Sequence, residues 1–224
     1  PHLAALPSDT GYAQSQYVAE AIVWNAIDNG FPVAVYRPGF VLGHSKSGIC
    51  NPDDFISRLF TSCMDMGLYP ILPNQRKEFI PVDFVVDAII HISQTHDNLG
   101  HAYNLVQPDL NNAIDINTSF DLLNQLSPYK MEGVPYEQWV NSLSERLDDP
   151  LHPLTPMLKE KVFGNMTRWE VYENMAEYGR ENIRRALQDA PHILNRDDIE
   201  VLFHRSLKSW LPCCVWHKPV RMQA

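Results

Sequence analysis

Residues 8–38 constrain the fold more than any other stretch of this chain. Ser8, Asp9 and Thr10 are capping residues, and Tyr17, Val18, Ala21, Ile22 and Asn25 follow at helical spacing. Gly30 then supplies a stop, so the spacing predicts a helix of about five turns over residues 8–29. Residues 31–37 (FPVAVYR) form a short apolar, β-branched and aromatic run between Gly30 and Pro38. That pattern suits a strand buried on both faces of a parallel sheet. A helix that feeds directly into such a strand is one αβ step of a doubly wound sheet, so the expected class is α/β.

The rest of the chain extends this reading. Pro38, Gly39, Gly43 and Gly48 mark a loop, and Asn51-Pro52-Asp53-Asp54 opens a second helix running to about Met66, with proline in its first turn. Pro81-Val82-Asp83 precedes Phe84, Val85, Ala88, Ile89 and Ile92, which makes Asp83 the expected N-cap of a third helix. Residues 102–106 read as a strand, 119–126 and 136–147 as short helices, and 131–134 as an edge strand. Beyond Asp148 the text turns helical and charge-rich without a strand signal, through 168–187 and 197–210. The expected organisation is a unit over 1–147, a small helical subdomain over 148–210 and an irregular tail over 211–224.

Composition narrows the function classes. With 224 residues, 45% of them hydrophobic, the chain can bury a sizeable core. A net charge of -9 argues against nucleic-acid binding, which needs clustered Lys and Arg, and leaves small molecules and proteins as expected partners. No apolar run approaches a bilayer span and the first residues lack the basic and apolar regions of a signal peptide, so no membrane partner is expected and a cytoplasmic setting is the default expectation. Cys50, Cys63 and the adjacent Cys213-Cys214 form no disulfide framework and are expected to be free thiols. Neither His91, His96 and His101 nor Cys213-Cys214 with His217 has metal-site spacing. The chain opens on Pro1 and a loop, which suggests that it starts inside a longer protein.

The chemistry-bearing segment is residues 11–20, GYAQSQYVAE. It closely resembles the G-Y-x-Q-S-K-x-x-A-E signature of thioester and carboxylic acid reductases, the male-sterility-like branch of the extended short-chain dehydrogenases. YRPGFVLG at 36–43, FIPVDFVVDA at 79–88, YNLV at 103–106 and VPYEQW at 134–139 resemble later segments of that family, in its order. The resemblance covers about residues 8–147. It implies that 1–147 is the C-terminal part of a doubly wound, Rossmann-like NAD(P)-binding domain. By the same resemblance, 148–210 helps form an acyl and phosphopantetheine channel, and loop 44–51 sits over the substrate.

By that resemblance Tyr12 is the proton donor to the substrate carbonyl, and Tyr12, Gln16, Pro38, Gly39 and Phe40 contact the nicotinamide side of NADPH. The family places a lysine four residues after the tyrosine, because i and i+4 share a helical face and an ammonium there favours phenolate. This chain has Gln16 instead, which can hydrogen-bond a ribose hydroxyl but carries no charge. No G-x-x-G-x-x-G turn for the pyrophosphate occurs in the chain. The implied function is reductive release of an acyl thioester, held by a phosphopantetheinyl carrier domain, at a reduced rate. Two alternatives stand beside it: a redox-inactive relative that releases product by Dieckmann cyclisation, and an inactive truncated product. On spacing alone, Tyr12 and Gln16 also read as an ordinary helix-surface pair, and residues 37–39 as a strand end and turn.

Overall fold

The computed structural model describes residues 10–109, 113–171, 177–195 and 197–215. The opening helix, α1 (Gly11–Asp28), forms as the spacing predicts, with the Thr10 hydroxyl accepting from the Ala13 amide at 3.1 Å. Ser8 and Asp9, the other expected caps, lie outside the described residues. The following strand, β1 (Val35–Pro38), starts four residues later than expected. The Val33 amide bonds to the Phe31 carbonyl, a local turn, and the Phe31 ring is exposed instead of buried.

Parallel pairing dominates the strands, as the α/β class requires. β1 pairs with β6 (Ala102–Leu105), in register from Val35 against Ala102 to Pro38 against Leu105. At Gly39 the chain changes partner, because β2 (Phe40–Leu42) pairs with β5 (Phe79–Pro81). A third parallel pair joins β3 (Leu68–Ile71) to β8 (Glu132–Pro135), and β4 (Arg76–Lys77) runs antiparallel to β7 (Ile114–Asp115). Strands β3, β4, β5 and β7 were not legible in the sequence, because each has four residues or fewer and shows no alternation of its own.

Two helices start differently from the expectation. α2 (Phe55–Met66) is capped by Asp54, whose carboxylate accepts from the Ser57 amide at 2.9 Å, so Pro52 stays in the preceding turn. α3 (Val82–Ser93) takes Pro81 at its cap position without a side-chain bond, which corrects the assignment of Asp83 as N-cap. Strand β5 runs straight into this helix and leaves Asp83 inside the first turn. Its carboxylate accepts from the Ser45 amide at 2.8 Å and the Ser45 hydroxyl at 2.6 Å.

Helices α4 (Ile116–Leu126) and α5 (Tyr136–Ser144) follow. After α6 (Thr155–Lys159) a hairpin of β9 (Lys161–Phe163) and β10 (Met166–Thr167) interrupts the stretch expected to be purely helical. α7 (Arg168–Val171), α8 (Glu181–Ala186), α9 (Pro191–Leu194) and α10 (Ile199–Val215) complete the fold. α10 continues into the region expected to be an irregular tail, and residues 216–224 lie outside the described ones.

Among the described residues the buried apolar side chains form two clusters, and residues beyond 148 contribute to both. In the larger one the fully buried Phe60 meets Phe120 edge-on at 5.7 Å and Trp210 at 5.1 Å between ring centroids. Each such ring contributes about 1.5–3 kcal/mol through removal from water. In the smaller one Ile80, Phe84, Ala88 and Ile92 pack with Tyr103 and Leu105, under Ile183, Leu187 and Ile193. The C-terminal helices are therefore part of the layers that cover the strands.

Candidate active site

The site is set by the direction of one αβ step. α1 runs into β1 through a short turn, so its first turn lies toward the C-terminal end of that strand, where open α/β sheets bind ligands. Glu20 fixes the helix there: its carboxylate is paired with Arg37 on β1, through Nε at 3.0 Å and through Nη2, and also accepts from the Trp24 indole at 3.0 Å. None of the residues of α1 is buried.

Just past β1, Gly39 donates to the Leu105 carbonyl at 2.9 Å and Phe40 donates to the Glu78 carbonyl at 2.9 Å, so the chain crosses from one strand partner to another within two residues. A Cβ on Gly39 would lie 2.5 Å from the Glu78 carbonyl oxygen. Only glycine lets the backbones approach this closely, which gives the Pro38-Gly39-Phe40 turn its shape. A cavity of about 420 Å³ opens at this turn, walled by Thr10, Pro38, Gly39, Phe40, Phe55, Lys77, Met157 and Trp169. Arg76, Glu78, Arg168, Glu177 and Tyr178 also line it.

Of the residues read from the sequence, Pro38, Gly39 and Phe40 meet at this cavity, next to the helix cap Thr10. Tyr12 and Gln16 lie on the exposed surface of α1, Tyr12 with 75% of its surface open to solvent, and neither is among the lining residues. Loop 44–51 lines no part of the cavity either. It is held from two sides: Asp83 binds Ser45, Arg205 of α10 donates to the Ser45 carbonyl at 2.7 Å, and Ser209 donates to the Gly48 carbonyl at 2.8 Å. Gly48 sits at φ +70°, and a Cβ there would meet the Arg205 carbonyl at 2.0 Å, so the contact with α10 requires glycine. Burial alone would raise the Asp83 carboxyl, but the two Ser45 bonds, together with the Asp83 amide and the nearby His44, outweigh it and hold the group below the usual carboxylate range.

Lys77 is the residue that sequence reasoning missed. It is 4% exposed, and its ammonium lies 5.4 Å from the ring centroids of both Phe40 and Trp169. Burial lowers its pKa to about 8, against an opposing pull from Asp115. Nothing in RKEF at residues 76–79 signals this, since three charges before an apolar run read as loop. Glu78, the next residue, is buried too and is held by Arg180 at 2.5 Å and by the Gln107 amide at 3.3 Å.

Other sequence features resolve simply. His91 pairs with Asp189 at 3.0 Å, and no group of three potential metal ligands occurs among the described residues. Cys50 and Cys63 are free thiols, and burial raises the Cys63 thiol well above its ordinary value. The side chains of Cys213 and Cys214, and all of His217, lie outside what is described. No helix among the described residues is long and apolar enough to cross a membrane.

Comparison with known proteins agrees with the geometry. The NAD-binding "Male sterility protein" family matches residues 4–89. FrzA, a non-canonical nonribosomal peptide synthetase of Cladobotryum sp, is 51% identical over 191 residues, which is 85% of this chain and 19% of that protein. The chain belongs to the male sterility-type reductase family. Within this family, the aldehyde reductase lnaA of Aspergillus flavus is 50% identical over 194 residues, again 85% of this chain and 19% of the relative. The crystal structure of the terminal R domain from the myxalamid PKS-NRPS biosynthetic pathway superposes with a TM-score of 0.76 at 28% identity, over 92% of this chain and 50% of that one. The chain thus spans about a fifth of the length of these curated relatives and half of the solved reductase domain. The family is a nucleotide-binding one, and the turn at 38–40 presents backbone to a cavity at the C-terminal end of a parallel strand, where open α/β sheets bind ligands.

Proposed function

We propose that this chain forms the proton-delivering and acyl-binding part of an NADPH-dependent reductase, which releases a carrier-bound acyl thioester as an aldehyde or alcohol. The observation that carries the reading is the cavity at the β1 terminus, walled by Thr10 and by Pro38, Gly39 and Phe40, beside the helix that bears Tyr12. The likeness to a nonribosomal peptide synthetase and to an aldehyde reductase supports a phosphopantetheinyl carrier domain as partner and a thioester as substrate. A cytoplasmic setting suits the free thiols of Cys50 and Cys63.

The bound cofactor would supply a hydride to the thioester carbon. Negative charge then develops on the carbonyl oxygen, and the Tyr12 phenol delivers the proton there. Collapse of the resulting hemithioacetal breaks the carbon–sulfur bond and frees the carrier thiol and the aldehyde. Gln16, one turn on from Tyr12, offers an amide to a ribose hydroxyl, whereas a lysine would also stabilise phenolate by its charge. The backbone of Pro38, Gly39 and Phe40 would seat the nicotinamide ring.

Gln16 also favours a second reading, release by cyclisation without hydride transfer, since that chemistry has no use for the lysine charge. One assay on the full-length protein separates the two. Thioester-dependent NADPH oxidation, lowered about a hundred- to ten-thousand-fold in Tyr12→Phe, is the expected result. A cyclised product formed without NADPH would replace the reductase reading with the second one.

A further inference from the structure

The cavity wall is uneven in how firmly it is held. Of its apolar side chains Pro38, Phe40, Phe55, Met157 and Trp169, Trp169 alone is buried. Its ring packs edge-on against Phe55 at 5.1 Å between centroids. Its backbone is fixed as well, because the Thr167 amide and hydroxyl both donate to the Glu170 carboxylate at 2.7 Å, a pair of bonds that brackets Trp169. A longer tie comes from Gln75, 94 positions earlier, whose Nε2 donates to the Trp169 carbonyl. Gln75 is itself anchored: its amide donates to the Asp115 carboxylate at 2.8 Å, and its carbonyl accepts from the Ile116 amide at 2.9 Å. The Gln75 side chain is buried, and its Oε1 has no partner among the described residues. An amide buried with an orphan acceptor is costly, so stability alone gives poor reason for a glutamine here, whereas the placement of Trp169 gives one.

Resting on the reading of this cavity as the acyl pocket, we propose that Trp169 is the specificity-determining residue that limits the size of the acyl group, and that Gln75 is the positioning residue that keeps Trp169 from yielding. A cavity of about 420 Å³ admits an acyl chain only as far as its walls allow. Met157, unbranched and half-buried, can change rotamer to fit a chain. Trp169 has no such freedom, since Phe55 packs on its ring and Gln75 holds its carbonyl. A chain one step too long therefore meets a fixed ring and is rejected, for the same reason that overpacking destabilises a core.

The test uses the full-length protein and N-acetylcysteamine thioesters of rising length, from butanoyl to dodecanoyl. By calorimetry, affinity should rise with each longer chain until the cavity is filled and then fall about tenfold or more at the next. Trp169→Phe should move that fall to a longer chain. Gln75→Met keeps the side-chain length but loses the donor, and should shrink the fall to about threefold or less. A merely structural role for Gln75 would lower every affinity together and leave the shape of the profile intact. A wild-type affinity that never falls, or a fall at the same length in Trp169→Phe, would overturn the role of Trp169. An undiminished fall in Gln75→Met would overturn that of Gln75. If Trp169→Phe does not fold, the wild-type and Gln75→Met profiles decide. Binding of none of the thioesters would overturn the acyl pocket and the proposal with it. NADPH oxidation with the tightest-binding thioester is followed in parallel. Reduction without a length limit sinks only the role of Trp169, whereas a length limit without reduction sinks the reductase reading and leaves Trp169 standing as the limiting wall.

Discussion

Helix α1 and the cavity wall around Lys77 lie at the same end of β1, yet they are built in opposite ways. α1 carries Tyr12 and Gln16 on an open surface, buries none of its residues, and meets the sheet at a polar cluster of Glu20, Trp24 and Arg37. The wall brings together Phe40, Lys77 and Trp169, separated by up to 129 positions, and buries an ammonium beside two rings. The difference separates chemistry from stability: α1 residues can be exchanged at little folding cost, whereas each change in the wall disturbs packing that several elements share.

The largest stability effect should come from the wall. Trp169 is buried, packs edge-on against Phe55 at 5.1 Å between centroids, and covers the Lys77 ammonium. Trp169→Ala should cost about 3–5 kcal/mol in urea unfolding. A loss near zero would mean that the wall is no more tightly built than α1.

A smaller effect depends on pH. The folded-state pKa of Lys77, about 8, lies below its ordinary 10.5, so between these values the unfolded chain holds the proton more often and stability rises with pH. Lys77→Met lacks this gain. Its stability relative to wild type should therefore fall by about 2 kcal/mol between roughly pH 7.5 and pH 9.5. Denaturant midpoints of both proteins at the two pH values measure the gap, and a constant gap would contradict the burial of the charge. Comparison of the pair removes shared contributions, such as that of Cys63, whose raised pKa acts in the opposite direction.

The smallest stability effect belongs to α1. Gln16→Lys should change unfolding free energy by about 0.5 kcal/mol or less, as for an exposed site, while raising thioester-dependent turnover about tenfold. A variant that unfolds several degrees earlier would show that the helix is not the independent surface its exposure indicates. An unchanged rate with unchanged stability would place the catalytic deficit elsewhere than at Gln16.

Much of the frame was legible because it is written in short-range terms. The Thr10 cap, the length of α1, strand β6 and the helices expected at 119–126 and 136–147, found at 116–126 and 136–144, follow from neighbours within about four residues. The P-G-F turn at 38–40 was legible as a turn, and its resemblance led to the cavity. Asp83 was misread because the sequence shows an acid before an apolar helix, but not the strand that delivers Pro81 to the cap position. Loop 44–51 was placed over the substrate, whereas its hydrogen bonds run to Asp83 and α10, about 160 residues away at Arg205 and Ser209.

By itself, the sequence determined the α/β class, the αβ step, the family and the presence of a phenol with a neutral amide one turn away. Only the tertiary structure decided that Lys77 is buried, that Phe40 and Trp169 enclose it, and that the helices after residue 148 seal the same layers as the strands. Helical periodicity and capping are set by residues a turn apart, but the solvation of a charge depends on every side chain that displaces water from it, wherever those side chains lie along the chain.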